Sequence, residues 1–389
     1  MQMIDDLIVE PAEISGNGCI VDVSRVDVGW KVRFASEPRT SPQPLWFYIE
    51  ARGAGGAPVE FIWENPDICL GNRNELHVLR PVLRADDGQW RRVDAVKVDE
   101  HPDGRRSLRF SHEGGGRTIA AAFCFPYAPP DLEETLGDVG ERWERTVIGV
   151  TREGRPLERL RLTGDHSVQR AGIYLMARQH AGETPGSWIL DGMLRFLAGQ
   201  AAQRSELRDA IDVWVCPFVD LDGVVNGDYG KDALPWDFNR AWEHMPMRPA
   251  VHAIQRDMQR FKARTHPRIV IDCHGPGHST PGVYVQLPRA ERPEAQMLGA
   301  REFAADLARH LSEMPAELCA RETTYASRWN KLATQASWVW DALDQTQAVS
   351  VETSYQRLGD RLLYPADYHD IGQRVLLAAE DWLRRRRGG

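Results

Sequence analysis

The sequence predicts two units in tandem, an antiparallel β-sandwich over residues 1–125 followed by an α/β domain over 126–389. Three observations lead there. Apolar and polar residues alternate with a period of two over 26–34, Pro126-Tyr127-Ala128-Pro129-Pro130 forms a proline-rich joint, and beyond it short apolar runs alternate with amphipathic helical stretches. A chain of 389 residues is also longer than one hydrophobic core ordinarily supports.

In the first unit Val26, Val28, Trp30, Val32 and Phe34 alternate with Asp27, Gly29, Lys31 and Arg33, a pattern that buries one face of a strand. Shorter runs at 45–49, 76–83, 108–110 and 119–125 read as further strands. Asp87-Gly88 and Asp103-Gly104 punctuate them as tight turns, and Gly114-Gly115-Gly116 opens another. No helix is expected in this unit. In the second unit 173–177, 213–216, 269–272 and 348–351 read as buried strands. Helices are expected over 185–197, over 297–314 with Phe303, Leu307 and Leu311 on one face, and over 371–383. There is no internal repeat.

A net charge of -8 and a pI near 5.9 offer no general attraction to nucleic acid or to an anionic membrane. No run has the 18 or so apolar residues of a membrane span, and the start lacks the basic and apolar regions of a secretory signal. The six cysteines are scattered without Cys-x-x-Cys spacing and read as buried free thiols, so a reducing, cytoplasmic location is expected. The basic tail at 384–387 reads as solvated, and no oligomeric state is legible.

Chemistry enters at 177–188. His180 and Glu183 stand three residues apart after an apolar run, and Thr184-Pro185 supplies a helix start directly behind them. The spacing alone is weak, because His310 and Glu313 repeat it inside the 297–314 helix, where two solvated residues suffice as explanation. The surroundings add weight. His274 closes the run at 269–274 and Glu352 the run at 348–352, and in open α/β sheets ligands bind where strands end. Taken singly, His274 could be a turn histidine and Glu352 a surface carboxylate. Taken together, two histidines and one carboxylate leave a fourth position open on a zinc ion, as catalytic zinc sites do. A metallohydrolase is the reading.

Three further motifs make the pattern specific: Asp220-Leu221-Asp222-Gly223, Asn226-Gly227-Asp228-Tyr229-Gly230-Lys231 and Asp237-Phe238-Asn239-Arg240-Ala241-Trp242. With Ala177-Arg178-Gln179-His180-Ala181-Gly182-Glu183-Thr184, they resemble zinc carboxypeptidases of the M14 type, and within them the cytosolic carboxypeptidase branch. Trp46-Phe47-Tyr48, Phe125-Pro126-Tyr127 and Asp131-Leu132 are similar to the marks of that branch's sandwich and its junction.

The resemblance implies a mixed central sheet flanked by helices and one zinc per chain, held by His180, Glu183 and His274. It implies Glu352 as the general base that manages the protons of water and leaving amine. Asn239 and Arg240 would grip the carboxylate of a peptide or protein C-terminus, and Asp237 would orient the His180 ring. On residue type alone Arg240 could equally pair with a surface acid and Asp237 cap a turn. Trp236 and Trp242 read as core, Arg178 as a structural ion-pair partner, and His278 as a loop residue.

The chain departs from the family pattern in several places. The arginine nine residues before the motif asparagine, which stabilises the oxyanion, is Gly230, leaving the adjacent Lys231 as the candidate cation. After His274 the branch often carries basic residues, but here Gly275-Pro276-Gly277-His278-Ser279-Thr280 follows, which weakens a glutamate-trimming specificity. Lys231, Arg328 or Lys331 could restore a basic pocket. Tyr325 is the candidate for the family's mobile tyrosine. Two other functions remain open: a zinc amidohydrolase of N-acyl amino acids, as in aspartoacylase-like relatives, and a binding protein with impaired catalysis.

Overall fold

The structure, a computed structural model, describes residues 7–67, 75–162, 170–199, 211–243, 245, 248–277, 279–287, 292–311, 319–322 and 333–387. The first unit is a pair of facing five-stranded sheets. One runs β1 (Ile8–Pro11), β4 (Tyr48–Arg52), β10 (Thr118–Ala122), β6 (Val82–Ala85), β7 (Arg91–Arg92), and the other β2 (Cys19–Val26), β3 (Gly29–Ala35), β5 (Val59–Trp63), β9 (Arg106–His112), β8 (Lys97–Glu100). Trp30, Val32 and Phe34 face inward from β3, as the alternation requires. Phe34, Phe47, Trp63 and Phe110 meet edge-on, tilted or stacked between the sheets.

The sandwich corrects the expectation in four places. The alternation over 26–34 straddles a hairpin, so Val28 sits at its tip, 74% exposed. The run at 76–83 divides into a 3-10 turn, Leu76–Val78, and the start of β6. The strand in the 45–49 run begins only at Tyr48. The sheets are not wholly antiparallel either, since β3 and β5 run parallel.

The second unit is built on an eight-stranded mixed sheet. Its order is β11 (Trp143–Val150), β12 (Pro156–Leu162), β14 (Ile211–Cys216), β13 (Ala171–Ala177), β15 (His266–His274), β18 (Gln347–Thr353), β16 (Val283–Leu287), β17 (Ala320–Glu322). The four middle strands are parallel. Being covered on both faces, they read as the continuous apolar runs seen in the sequence. Alternate residues serve opposite faces: Ile173, Leu175 and Ala177 join one core, Tyr174 and Met176 the other. The helices Thr184–Ala198, Glu294–His310 and Pro365–Arg387 pack on the first face, where the apolar core continues into the sandwich. Pro249–Arg264 and Gln335–Ala342 cover the second.

The proline-rich joint does more than break the chain. Pro129 and Pro130 open a helix, Pro129–Val139, whose first turn is closed by Asp131 accepting from the Ala128 amide at 2.7 Å. That helix, Pro249–Arg264 and the strands β11, β12, β16 and β17 were not expected. The helix expected over 297–314 ends at His310, and Glu313 lies outside the described residues. The basic tail is not simply solvated: it completes Pro365–Arg387, with Arg385 paired to the buried Asp306 and Arg386 to Glu302. Of the described cysteines Cys19 is exposed, against expectation, and four are buried. No helix among the described residues is long and apolar enough to cross a membrane.

The helices Thr184–Ala198 and Pro365–Arg387 cross at glycines. A Cβ on Gly192 would come within 2.4 Å of the His369 backbone, and one on Gly372 within 2.1 Å of the Ile189 carbonyl oxygen. Gly192→Ala is therefore expected to destabilise the chain by about 1–3 kcal/mol through overpacking, read as a lower urea midpoint. An unchanged midpoint would show that the crossing can open without cost.

Candidate metal centre and active site

Three strand ends converge on one crevice. β13 ends at Ala177, after which Arg178, in a left-handed conformation (φ 64°), turns the chain so that His180 and Glu183 face the end of β15. In the parallel register His274 on β15 lies opposite Glu352 on β18, so two of the expected site residues arrive as sheet neighbours. Glu183 precedes the helix Thr184–Ala198, whose N-terminus favours its negative charge.

The Glu183 carboxylate is fully buried between two imidazoles. His180 Nδ1 lies 2.8 Å from its Oε1, and His274 Nδ1 2.8 Å from its Oε2, which also accepts from the Gly275 amide at 3.1 Å. Behind each ring stands a second carboxylate: Asp237 lies 3.1 Å from His180 Nε2 and Asp272 2.7 Å from His274 Nε2. Carboxylates that accept from Nε2–H leave both Nδ1 lone pairs pointing inward, the arrangement in which imidazole binds a metal. The donor atoms of His180, Glu183 and His274 all lie within 4.8 Å of one another, so the three fit a metal ion. The electrostatics agree. Burial opposes the His180 imidazolium, yet Glu183 and Asp237 outweigh it and lift its pKa to about 9, a sign that the cluster favours a cation.

Glu352 is half-buried, and its Oε2 is screened from solvent with no hydrogen-bond partner among the described residues. Burial holds its pKa above the ordinary carboxylate value, with Glu183 adding to the effect and His274 opposing it. Lys231 Nζ stands 3.6 Å from Glu183 Oε1. At Gly230 φ is 86°, and a Cβ there would come within 2.7 Å of the Ala181 amide nitrogen and 3.3 Å of His180 Cα.

Asp237 gathers three donors: His180 Nε2, the Asn239 amide at 2.7 Å and the Asp232 amide at 2.8 Å. Asn239 Nδ2 lies 3.4 Å from His274 Nε2, and its Oδ1 accepts from the Gln335 amide. Arg240 is half-buried on the same 3-10 turn and donates to the Asn239 carbonyl at 2.9 Å. The structure thus brings His180, Glu183, His274, Asp237, Asn239 and Lys231 into one linked group. Tyr325, Arg328, Lys331 and His278 lie outside the described residues. Arg178 is structural, but its partners among the described residues are the Ala181 and Tyr127 carbonyls and the Ser187 hydroxyl, with no acid paired to it there. Trp242 is core, as expected. His310 pairs instead with Asp381 of the helix Pro365–Arg387 at 3.0 Å.

Sequence reasoning missed four neighbours. Asp272 had a signal, since it sits two residues before His274 on one strand and therefore on the same face. Gln179 had none: its Nε2 donates to Asp272 Oδ2, while its Oε1 accepts from Trp242 Nε1 at 2.7 Å. Tyr284 faces Glu352 through the antiparallel register of β16, and the Arg321 guanidinium lies 4.3 Å from its ring centre.

Comparison with known proteins agrees with this geometry. The family described as zinc carboxypeptidase (peptidase M14) matches residues 132–276. Human cytosolic carboxypeptidase 6 is 26% identical over 210 residues, covering 49% of this chain and 41% of that protein. Cytosolic carboxypeptidase 1 of Danio rerio is 32% identical over 162 residues, covering 40% and 13% respectively. The match therefore spans less than half the length of either relative. Among solved structures, a metallo-carboxypeptidase from Burkholderia cenocepacia superposes with a TM-score of 0.80 at 20% identity, covering 98% of this chain and 99% of the other. One from Pseudomonas aeruginosa, in complex with (2-guanidinoethylmercapto)succinic acid, gives 0.77 at 21%, covering 97% and 99%. At these identities the likeness is one of fold, and it covers the sandwich as well as the α/β unit.

The relay from Trp242 through Gln179 and Asp272 to His274 yields a prediction. Gln179→Leu removes the donor that holds Asp272 and is expected to weaken zinc binding by about 10–100-fold, measured by competition with a chelator. Unchanged affinity would mean that Asp272 keeps its place without Gln179.

Proposed function

We propose that the chain, whose residues 132–276 match the zinc carboxypeptidase (peptidase M14) family, hydrolyses the C-terminal peptide bond of a peptide or protein. We divide it into a sandwich over 1–125 and a hydrolase domain over 126–389. The observation that carries the reading is Glu352: a carboxylate with no hydrogen-bond partner on Oε2 among the described residues, set beside the His180, Glu183 and His274 cluster by sheet register.

Zinc, when bound to His180, Glu183 and His274, supplies Lewis-acid polarisation of the scissile carbonyl and brings the pKa of water to about 7. Glu352 Oε2 takes the proton from the attacking water and later delivers it to the leaving amine nitrogen, a task suited to a carboxylate whose pKa burial has raised. Lys231 is the cation for the developing oxyanion, supported by its 3.6 Å approach to Glu183. Asn239 and Arg240 receive the terminal carboxylate of the substrate, and Asp237 holds the His180 ring in the orientation that offers Nδ1. Tyr325 is our candidate for a residue that closes over the substrate. Arg321, on a strand two removed from that of Glu352, adds a guanidinium to the wall beside the site. The names of the cytosolic carboxypeptidases among its relatives support a cytoplasmic location.

Two outcomes test the reading. Glu352→Gln is expected to keep one zinc per chain and to lose turnover by about 10²–10⁴-fold, with metal content measured alongside peptide hydrolysis. Full activity would remove Glu352 as the base. Lys231→Met is expected to lower kcat by about 10²-fold on whichever member of a panel of peptides ending in Glu, Lys or Leu is cut fastest. Hydrolysis of an N-acetylated amino acid with no release from any peptide would replace the peptidase reading by the amidohydrolase one.

A further inference from the structure

The sandwich does not merely adjoin the hydrolase domain. Six of its described residues reach the single segment 224–234 that carries Lys231, among them Arg39, which donates to the Asn226 carbonyl. The Ser15 hydroxyl donates to the Val224 carbonyl at 2.6 Å and its amide to that of Val225 at 2.9 Å. Asn17 Nδ2 donates to the Gly227 carbonyl at 2.8 Å, and Thr40 Oγ1 to Asp228 Oδ2 at 2.8 Å. The buried Ser41 hydroxyl donates to the Lys231 carbonyl, and Gln43 Nε2 donates to Asp232 Oδ2 at 3.1 Å. The Leu234 amide returns a bond to the Thr40 carbonyl at 2.8 Å.

This bracing meets the segment where its backbone is most constrained. Lys231 lies between two left-handed residues, Gly230 (φ 86°) and Asp232 (φ 56°). The Asp232 amide donates to Asp237 Oδ2, and Asp237 holds His180. A path of direct contacts thus runs from Gln43 to the metal cluster through Asp232 and Asp237, while Ser41 fixes the main chain from which the Lys231 side chain extends. Lysine has a long flexible stem, so the place of its ammonium depends on how firmly its own backbone is held. The opposite wall is braced in the same way. Arg92 of the sandwich donates to the carbonyls of Tyr355 and Leu363, each at 2.7 Å, in the segment that follows the strand carrying Glu352.

We infer that the sandwich is part of the hydrolytic machinery, with Ser41 and Gln43 as positioning residues that set where the Lys231 ammonium stands against Glu183. The inference rests on the role proposed above for Lys231. The test is a double-mutant cycle between Ser41→Ala and Lys231→Met in the full chain, with amide exchange over 224–234 and zinc content read in parallel. Ser41→Ala is expected to speed exchange over 224–234 while β15 keeps its protection. It should lower kcat by about tenfold or more with KM and zinc content little changed, and should cost nothing further in the Lys231→Met background. Ser41→Thr, which keeps the hydroxyl, should restore kcat, and Gln43→Leu carries the same cycle should Ser41→Ala fail to fold.

Unchanged exchange over 224–234, or losses that multiply in the double variant, would overturn the inference while leaving Lys231 catalytic. Full turnover in Lys231→Met alone would overturn the role of Lys231 itself and this inference with it.

Discussion

The rest of the site depends on a buried carboxylate. Glu183 has no exposed surface, and an ionised carboxyl group in such a place is tolerable only if it is paired. Burial works to protonate it, but His180, Lys231 and His274 together hold its pKa well below the usual carboxylate range. Each partner comes from a different part of the chain: the turn after β13, the segment braced by the sandwich, and the end of β15. Removing a partner from a buried pair leaves an uncompensated charge and costs about 3–5 kcal/mol. Folding of the α/β unit and assembly of its chemistry are therefore difficult to separate.

The sheet explains why the partners arrive together. Parallel pairing of β15 with β18 makes His274 and Glu352 lateral neighbours, and pairing of β13 with β15 places Ala177 beside Cys273. A one-residue slip would turn His274 or Glu352 to the other face of the sheet. Register is secured by full burial of the central strands on both faces, with Ile173, Leu175, Ile269 and Ile271 in one core and Tyr174, Met176 and Val270 in the other. The sheet sets positions along the strands but not the loops beyond them, and those loops are what the sandwich grips.

The parts of this arrangement that were legible in the sequence have local signatures. Strand ends at His274 and Glu352 could be read because buried parallel strands are largely apolar runs, here broken by Asp272 and Ser350, and the functional residue stands where each run closes. The helix start behind Glu183 showed in Thr184-Pro185. The hairpin around Val28 was misread because a two-residue turn preserves the period-two pattern while reversing the chain. The edge strand β11 and its neighbour β12 escaped because charged residues break up their apolar runs, as with Arg145 bonded to Glu133 and Glu158. Gln179 and Ser41 escaped for a deeper reason. Their roles are set by partners 93 and 190 residues away, and nothing in the sequence around either residue records such a contact.

Gly230 is the clearest instance of sequence and structure giving different accounts of one residue. Read along the chain, it is the place where the resemblance leads one to expect an arginine. In the fold it is a position hostile to any side chain: φ is left-handed, and a Cβ would run into the amide of Ala181, between His180 and Glu183 of the candidate metal cluster. An arginine here would have to displace the turn that presents those ligands, so the glycine and the tight packing behind the metal cluster belong together. The cation proposed for the oxyanion therefore comes from a neighbour whose backbone bears a side chain, Lys231, whose ammonium lies 3.6 Å from the Glu183 carboxylate. An ammonium lacks the planar fork of a guanidinium and cannot fix its own geometry by paired hydrogen bonds. Its orientation must be imposed by the main chain, which is the part of Lys231 that the buried Ser41 hydroxyl holds.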